Sequence, residues 1–61
     1  MADRVLRERE VRQVTGLSRT TRFEQIRAGR FPAPIKLTDR NIGWLESELT
    51  EWMAKRPRVV A

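Results

Sequence analysis

The 61-residue sequence predicts a small α+β fold, mostly helical, in which three helices carry one short β-hairpin. Three observations lead there. Gly16 and Gly29 each close a stretch of helix length, where a left-handed residue can end a helix without a Cβ penalty. Pro32 and Pro34 forbid a helix around them and push each preceding residue to extended backbone. Leu45, Leu49, Trp52 and Met53 then recur at i, i+4, i+7 and i+8, an amphipathic helical stripe.

Met1 to Asp3 are expected to fray, and Val5 and Leu6 to run extended onto the core. The first helix is expected over Glu8 to Val14, with Val11 and Val14 on its inward stripe. Arg7 at its N-cap is a poor capping residue, but that placement makes Leu6 and Val11 a hydrophobic staple. Ser18 can accept a bond from a free N–H and so start the second helix, about Arg19 to Ala28. That helix offers the core only Phe23 and Ile26, with Leu17 just before it. Ile35 and Leu37 alternate with Lys36 as one hairpin strand would, Thr38 to Asn41 form a polar turn, and Ile42-Gly43-Trp44 return. The last helix is expected over Glu46 to Lys55. Glu46, Glu48 and Glu51 lie toward its positive end, and Lys55 and Arg56 at its negative end. Pro57 stops it, and residues 57–61 are expected to trail as a tail on a single domain spanning 1–61.

Thirteen Lys and Arg stand against eight Asp and Glu, a formal net charge of +5, and all but Lys36 and Lys55 of the basic residues are arginine. Arginine suits bidentate recognition of phosphate and guanine. The charge is also segregated. Leu17 to Arg40 carries Arg19, Arg22, Arg27, Arg30, Lys36 and Arg40 against only Glu24 and Asp39, whereas the last helix is acidic. With no cysteine and no histidine, disulfides, thiolate metal sites and the commonest general base are all excluded. Ser18 and Ser47 have no histidine to activate them, and no glycine-rich phosphate loop is present. Neither an enzyme nor a bound cofactor or metal is expected. The first residues lack the apolar core of a signal peptide, and no run approaches the roughly 20 apolar residues that cross a bilayer. A cytosolic, nucleoid-associated product with no membrane partner is the expectation.

Helix, glycine turn, basic helix and hairpin, in that order, make a winged helix-turn-helix. Its natural partner is double-stranded DNA, with the second helix (about 19–28) in the major groove and the wing (about 35–44) on the flanking backbone. Arg19, Thr20, Thr21 and Arg22 fall in the first turn of the recognition helix, and Arg19 is a candidate for a base or a phosphate. Thr20, Glu24 and Arg27 share one outward stripe, and Thr21, Gln25 and Ala28 the next. Gln25 suits adenine, and Glu24 can accept from cytosine. Lys36, Arg40 and Asn41 belong to the wing, where a basic tip can lie on phosphates or enter the minor groove. The apolar neighbours of Trp44 and Trp52 assign both indoles to the core, and Phe31 reads as a plug under the wing.

With Gly16-Leu17-Ser18-Arg19-Thr20-Thr21, Gly29-Arg30-Phe31-Pro32, Pro34, Lys36-Leu37, Gly43-Trp44, Glu48 and Trp52, the chain resembles the AlpA family. These are small phage- and prophage-type transcriptional regulators, similar in their DNA-binding part to MerR-like winged domains and to recombination directionality factors. The resemblance runs from Leu6 to about Arg56, and its most specific pieces are G-R-F-P-x-P-x-K-L and G-W-x-x-x-E-x-x-x-W. It implies sequence-specific control of a prophage or mobile-element gene. The chain departs from the family at Arg22, usually aliphatic, and at Phe23, usually tyrosine. The arginine leaves the rotation of the recognition helix open.

A module of this size should bind weakly alone, and so as a homodimer or as cooperating copies on repeated sites. An excisionase-like factor that bends DNA for an integrase would use the same fold. From another class, a protein-interaction module would dock its partner on the Leu49–Trp52–Met53 helix. An RNA-binding reading lacks exposed aromatics on a sheet.

Overall fold

Chain order in the computed structural model, which describes residues 3–60, is β1 (Val5–Leu6), α1 (Glu8–Thr15), α2 (Arg19–Arg27), β2 (Ile35–Lys36), β3 (Ile42–Leu45) and α3 (Glu46–Ala54). The expected α+β architecture is present, with three helices and a small antiparallel sheet. The sheet holds one strand more than the hairpin. Its order is β1-β3-β2, with Val5 opposite Leu45, Leu6 opposite Trp44, Ile35 opposite Gly43 and Lys36 opposite Ile42. Val5 and Leu6 therefore do more than run extended onto the core: they pair with the return strand of the wing.

Both glycine stops work as the residue types require. Gly16 adopts φ 74°, and its N–H donates to the Arg12 carbonyl at 2.8 Å. Gly29 also has φ 74°, and Arg30 N–H reaches back to the Gln25 carbonyl at 2.8 Å. That last bond closes the six-to-one ring of a Schellman stop. Ser18 caps α2 by accepting from Thr21 N–H at 3.3 Å. At α1 the helix supplies its own cap, because Glu10 accepts from Arg7 N–H at 3.2 Å while the Arg7 side chain, which has no acceptor, returns nothing.

Leu6, Val11, Phe31, Trp44 and Leu49 form the buried core, with Leu17, Phe23, Ile26, Ile42 and Trp52 packed against it. Leu6 and Val11 meet there, as a staple demands. Val14 does not join them and is 48% exposed, since the eight-residue α1 turns it off the buried stripe. Leu45 belongs to β3 and precedes α3, so the buried face of that helix rests on Leu49, with Trp52 and Met53 half-buried.

The expected fraying at the start is overturned for Asp3, while Met1 and Ala2 lie outside the described residues. The Asp3 carboxylate accepts from Ser47 N–H at 3.2 Å and from the Ser47 hydroxyl. It thus supplies the N-terminal cap of α3 that Leu45 cannot. Glu46 N–H donates to the Arg4 carbonyl at 2.8 Å, carrying the β1–β3 ladder into the helix. No helix or strand covers residues 57–60, and Ala61 of the expected tail lies outside the described residues.

Gly43 of β3 is buried and has no room for a side chain. A Cβ there would lie 2.6 Å from Val5 Cγ1 and 3.2 Å from both the Leu6 carbonyl and Leu37 Cδ1. Gly43→Ala should therefore cost about 1–3 kcal/mol by overpacking. Adding Val5→Ala should recover part of the loss in urea melts, and a G43A midpoint equal to wild type would contradict this packing.

Candidate nucleic-acid interface

Arg22 decides how α2 is turned. Its side chain is 0% exposed, so it offers nothing to DNA in this fold, and its expected place among the contacts is corrected. Its head does not snorkel out to solvent, and the helix does not roll to expose it. Arg22 Nη2 is ion-paired to Glu8, Nε donates to the Leu17 carbonyl at 3.1 Å, and the guanidinium lies 5.6 Å over the Trp44 ring. Nη1 has no hydrogen-bond partner among the described residues. Burial of a permanent cation is tolerable only with such a counter-charge, and Glu8 from α1 supplies it.

With Arg22, Phe23 and Ile26 turned inward, the opposite face of α2 is set by helical geometry. Thr20, Thr21, Glu24 and Arg27 are exposed there beside Ala28, and Gln25 is half-buried at its flank. The Thr21 hydroxyl also accepts from Ser18 Oγ at 3.1 Å, so part of its capacity belongs to the cap. Arg19 lies on the stripe of Arg22 and Phe23 but projects past the helix start. Its guanidinium stacks 4.5 Å over the Phe23 ring and reaches Glu8 at 3.5 Å.

The wing is carried on β2 and β3, and its tip is organised by bonds between Thr38 and Asn41. The Thr38 hydroxyl accepts from Asn41 N–H at 3.1 Å and from the Asn41 side-chain amide at 2.9 Å. Leu37 N–H closes the turn on the Asn41 carbonyl at 2.8 Å. Lys36 and Arg40 are exposed. Asn41 turns its amide oxygen to Arg7 Nη2 at 3.0 Å, which ties the wing tip to the start of α1.

Two indoles hold the segment that leaves α2, one from the wing strand β3 and one from α3. Trp44 Nε1 donates to the Pro32 carbonyl at 2.9 Å, and Trp52 Nε1 to the Arg30 carbonyl at 2.7 Å. Both acceptors belong to the segment that leaves α2, where proline and the Schellman stop leave carbonyls without ladder partners. Phe31 packs between them in sequence, 4.7 Å and edge-on from Trp52, so it plugs the α3 side. Phe23 meets Trp44 edge-on at 6.3 Å.

Charge divides between two clefts. One, of about 460 Å³, opens between the start of α1, the start of α2 and the wing tip, and is lined by Arg7, Glu8, Arg9, Arg19, Arg40, Asn41 and Ile42. The other, about 220 Å³, is lined by Pro32, Glu48, Glu51, Trp52 and Lys55. Of the sequence-predicted contacts, Arg19, Arg40 and Asn41 are brought together in the first cleft. Thr20, Thr21, Glu24 and Arg27 share the outer face of α2, and Lys36 stands apart on β2. Arg7 and Arg9 also line this cleft, and exposed arginines at the start of a first helix carry no local signal that separates them from ordinary solvated charge. Among the described residues no helix is long and apolar enough to cross a membrane, and no cluster of three or more His, Cys, Asp or Glu could hold a metal ion.

Glu8 is the pivot of this electrostatics. Its carboxyl is held below its ordinary value of 4.5, chiefly by the hydrogen bond from Arg22 and then by the charges of Arg22, Arg19 and Arg12, against an opposing effect of partial burial. Its stabilisation is therefore complete above pH 4.5 and lost as pH falls through the lower folded value. Glu8→Gln should cost about 2–3 kcal/mol at neutral pH, less than a fully dry pair because Glu8 keeps water access, and should flatten the acid limb of stability. Arg22→Met, an apolar replacement of similar length, should be neutral to about 2 kcal/mol stabilising. In the R22M background Glu8→Gln should cost under about 0.5 kcal/mol. Equal costs of Glu8→Gln in both backgrounds would contradict the pairing.

Comparison with known proteins matches residues 4–57 to the family described as prophage CP4-57 regulatory protein (AlpA). The chain is 50% identical over 54 residues to the ORF88 protein of Enterobacteria phage P4, an alignment covering 88% of this chain and 61% of that protein. It thus spans less than two thirds of the length of that relative. It is 31% identical over 65 residues to the DNA-binding transcriptional activator AlpA of Escherichia coli K12, covering 97% of this chain and 93% of that protein. No solved structure matches the chain.

Proposed function

The chain belongs to the AlpA family of prophage regulatory proteins, and on that premise we propose that it is a sequence-specific double-stranded DNA-binding regulator of a prophage or mobile-element gene. The observation that carries this reading is the orientation of α2. Burial of Arg22 turns Thr20, Thr21, Glu24 and Arg27 outward, beside a wing whose tip bears Arg40. The relative from E. coli K12, whose name describes a DNA-binding transcriptional activator, supports extending the same activity to this chain.

The division of labour follows from residue chemistry. Thr20, Thr21, Glu24 and Gln25 can exchange hydrogen bonds with base edges in the major groove, and Arg27 with a guanine or a nearby phosphate. Lys36, Arg40 and Asn41 hold the wing on the flanking backbone, where contacts position the protein without reading sequence. Arg19, projecting past the helix start, belongs with the backbone contacts. Binding is by a regulator and not a catalyst, in the cytoplasm at the nucleoid, as a homodimer or as cooperating copies on repeated sites. An excisionase-like role with an integrase would add tandem sites and measurable bending to the same contacts.

Titration against duplexes from upstream of its own and neighbouring genes, over a range of salt, tests the proposal. Salt-steep binding that prefers one of these over random duplex is expected, and equal, weak binding to every duplex would overturn it. Glu24→Ala should cut the preference for that duplex by about 5- to 30-fold, on the order of 1–2 kcal/mol. Arg40→Ala should instead weaken all duplexes similarly and make the salt slope shallower by about one.

A further inference from the structure

We propose that the cleft between α1, α2 and the wing tip seats one backbone phosphate of duplex DNA, and that Arg7 and Arg9, at the start of α1, are ligands to it. The inference rests on the DNA-binding function proposed above and adds α1 to the contact surface. Four guanidinium groups, from Arg7, Arg9, Arg19 and Arg40, line this one concavity, and Glu8 is the single carboxylate among them. That carboxylate is already matched by the buried Arg22, and its contact with Arg19 stretches to 3.5 Å. Arg7, Arg9 and Arg40 have no carboxylate partner among the described residues.

Unpaired like charges that converge on a concave wall focus a positive potential there, and an anion relieves their mutual repulsion. A phosphate matches the guanidinium fork with paired oxygens, so the chemistry of the lining favours such an anion over a neutral ligand. Placement favours the nucleic-acid backbone as its source. The cleft lies open between the first turn of α2 and the turn Thr38 to Asn41, so a strand passing from the recognition helix to the wing crosses it. The walls are tied in advance: Arg7 Nη2 donates to Asn41 Oδ1 at 3.0 Å, and Glu8 holds α1 to α2 through Arg22. Arg19, held to Glu8 only at 3.5 Å, would exchange the carboxylate for the phosphate.

The test uses the full chain and the duplex it prefers, with affinity measured against salt. Arg7→Gln and Arg9→Gln should each make the log–log salt slope shallower, and the two together by at most about 0.9, the value of one neutralised phosphate, while the ratio of preferred to random duplex stays within about twofold. Arg9→Lys, which keeps the charge, should keep the slope. Arg56→Gln removes the same charge from a residue stacked on Trp52, 4.9 Å from its ring, and should leave the slope unchanged. Thermal melts of each variant separate lost contacts from lost folding. Wild-type slopes in both R7Q and R9Q would overturn the phosphate seat while leaving the DNA-binding function standing. An equal slope change in R56Q would also overturn it, by reducing the effect to net charge. Inorganic phosphate should weaken duplex binding beyond chloride at matched ionic strength for wild type but not for R9Q, because the free ion competes for the same seat; Arg9-dependent phosphate binding that leaves duplex affinity at its chloride value would assign the cleft to the free ion and overturn the backbone source. Absence of salt-dependent DNA binding by the wild type would overturn both.

Discussion

Arg22 must be matched inside the protein, because its guanidinium has no access to water and cannot shed its charge. Everything near the interface follows from how that is done. The ion pair with Glu8 holds α1 against α2, and the bond to the Leu17 carbonyl anchors the turn between them. The ring of Trp44 lies under the guanidinium and brings the sheet to the same point. One buried cation therefore joins α1, the turn, α2 and the central strand β3. An aliphatic side chain could fill the same space, but it would not specify the rotation of α2 through directed bonds. Here the rotation is set by where Glu8 stands.

A second constraint concerns the segment between the recognition helix and the wing. Proline and a left-handed glycine end α2 cleanly but leave carbonyls that no helix or sheet ladder can satisfy. Trp44 and Trp52 answer with their indole N–H groups, so residues used for apolar bulk also fix this segment against β3 and α3. The wing strand β3 is in turn flanked on its other edge by β1. The result is a frame in which the outer face of α2 and the turn at Thr38 to Asn41 are held by bonds at several independent points. Preorganisation of that kind lowers the ordering cost of binding, which matters for a small module with few contacts to spend.

Local features of this fold were legible in the sequence, and distant pairings were not. Gly16, Ser18 and Gly29 announce helix ends within a residue or so, because caps and left-handed stops are chemistry of neighbouring residues. The hairpin was legible for the same reason, from alternation and two prolines. The third strand was hidden: Val5 and Leu6 are too few to show a period, and their partners Leu45 and Trp44 lie far along the chain. Asp3 as the cap of α3 depends on Ser47, and Arg22 as a core residue depends on Glu8 in another helix. An arginine in a recognition helix reads as a DNA contact until its partner is known. The family resemblance flagged position 22 as usually aliphatic, which pointed at burial without saying what would balance the charge. Arg7 and Arg9 gained meaning only when α1, α2 and the wing were seen to enclose one cleft.

The central claim is that the outer face of α2 and the basic cleft beside the wing form one continuous DNA surface, with α3 facing away from it. Amide chemical-shift mapping of isotope-labelled protein, titrated with its preferred duplex, tests this most directly. The largest changes should fall on Thr20, Thr21, Glu24, Arg27, Arg40 and Asn41, with Arg7 and Arg9 following, while Glu48, Glu51 and the indole N–H signals of Trp44 and Trp52 hold still. Changes concentrated on Glu48 to Lys55, with the α2 face unmoved, would contradict it.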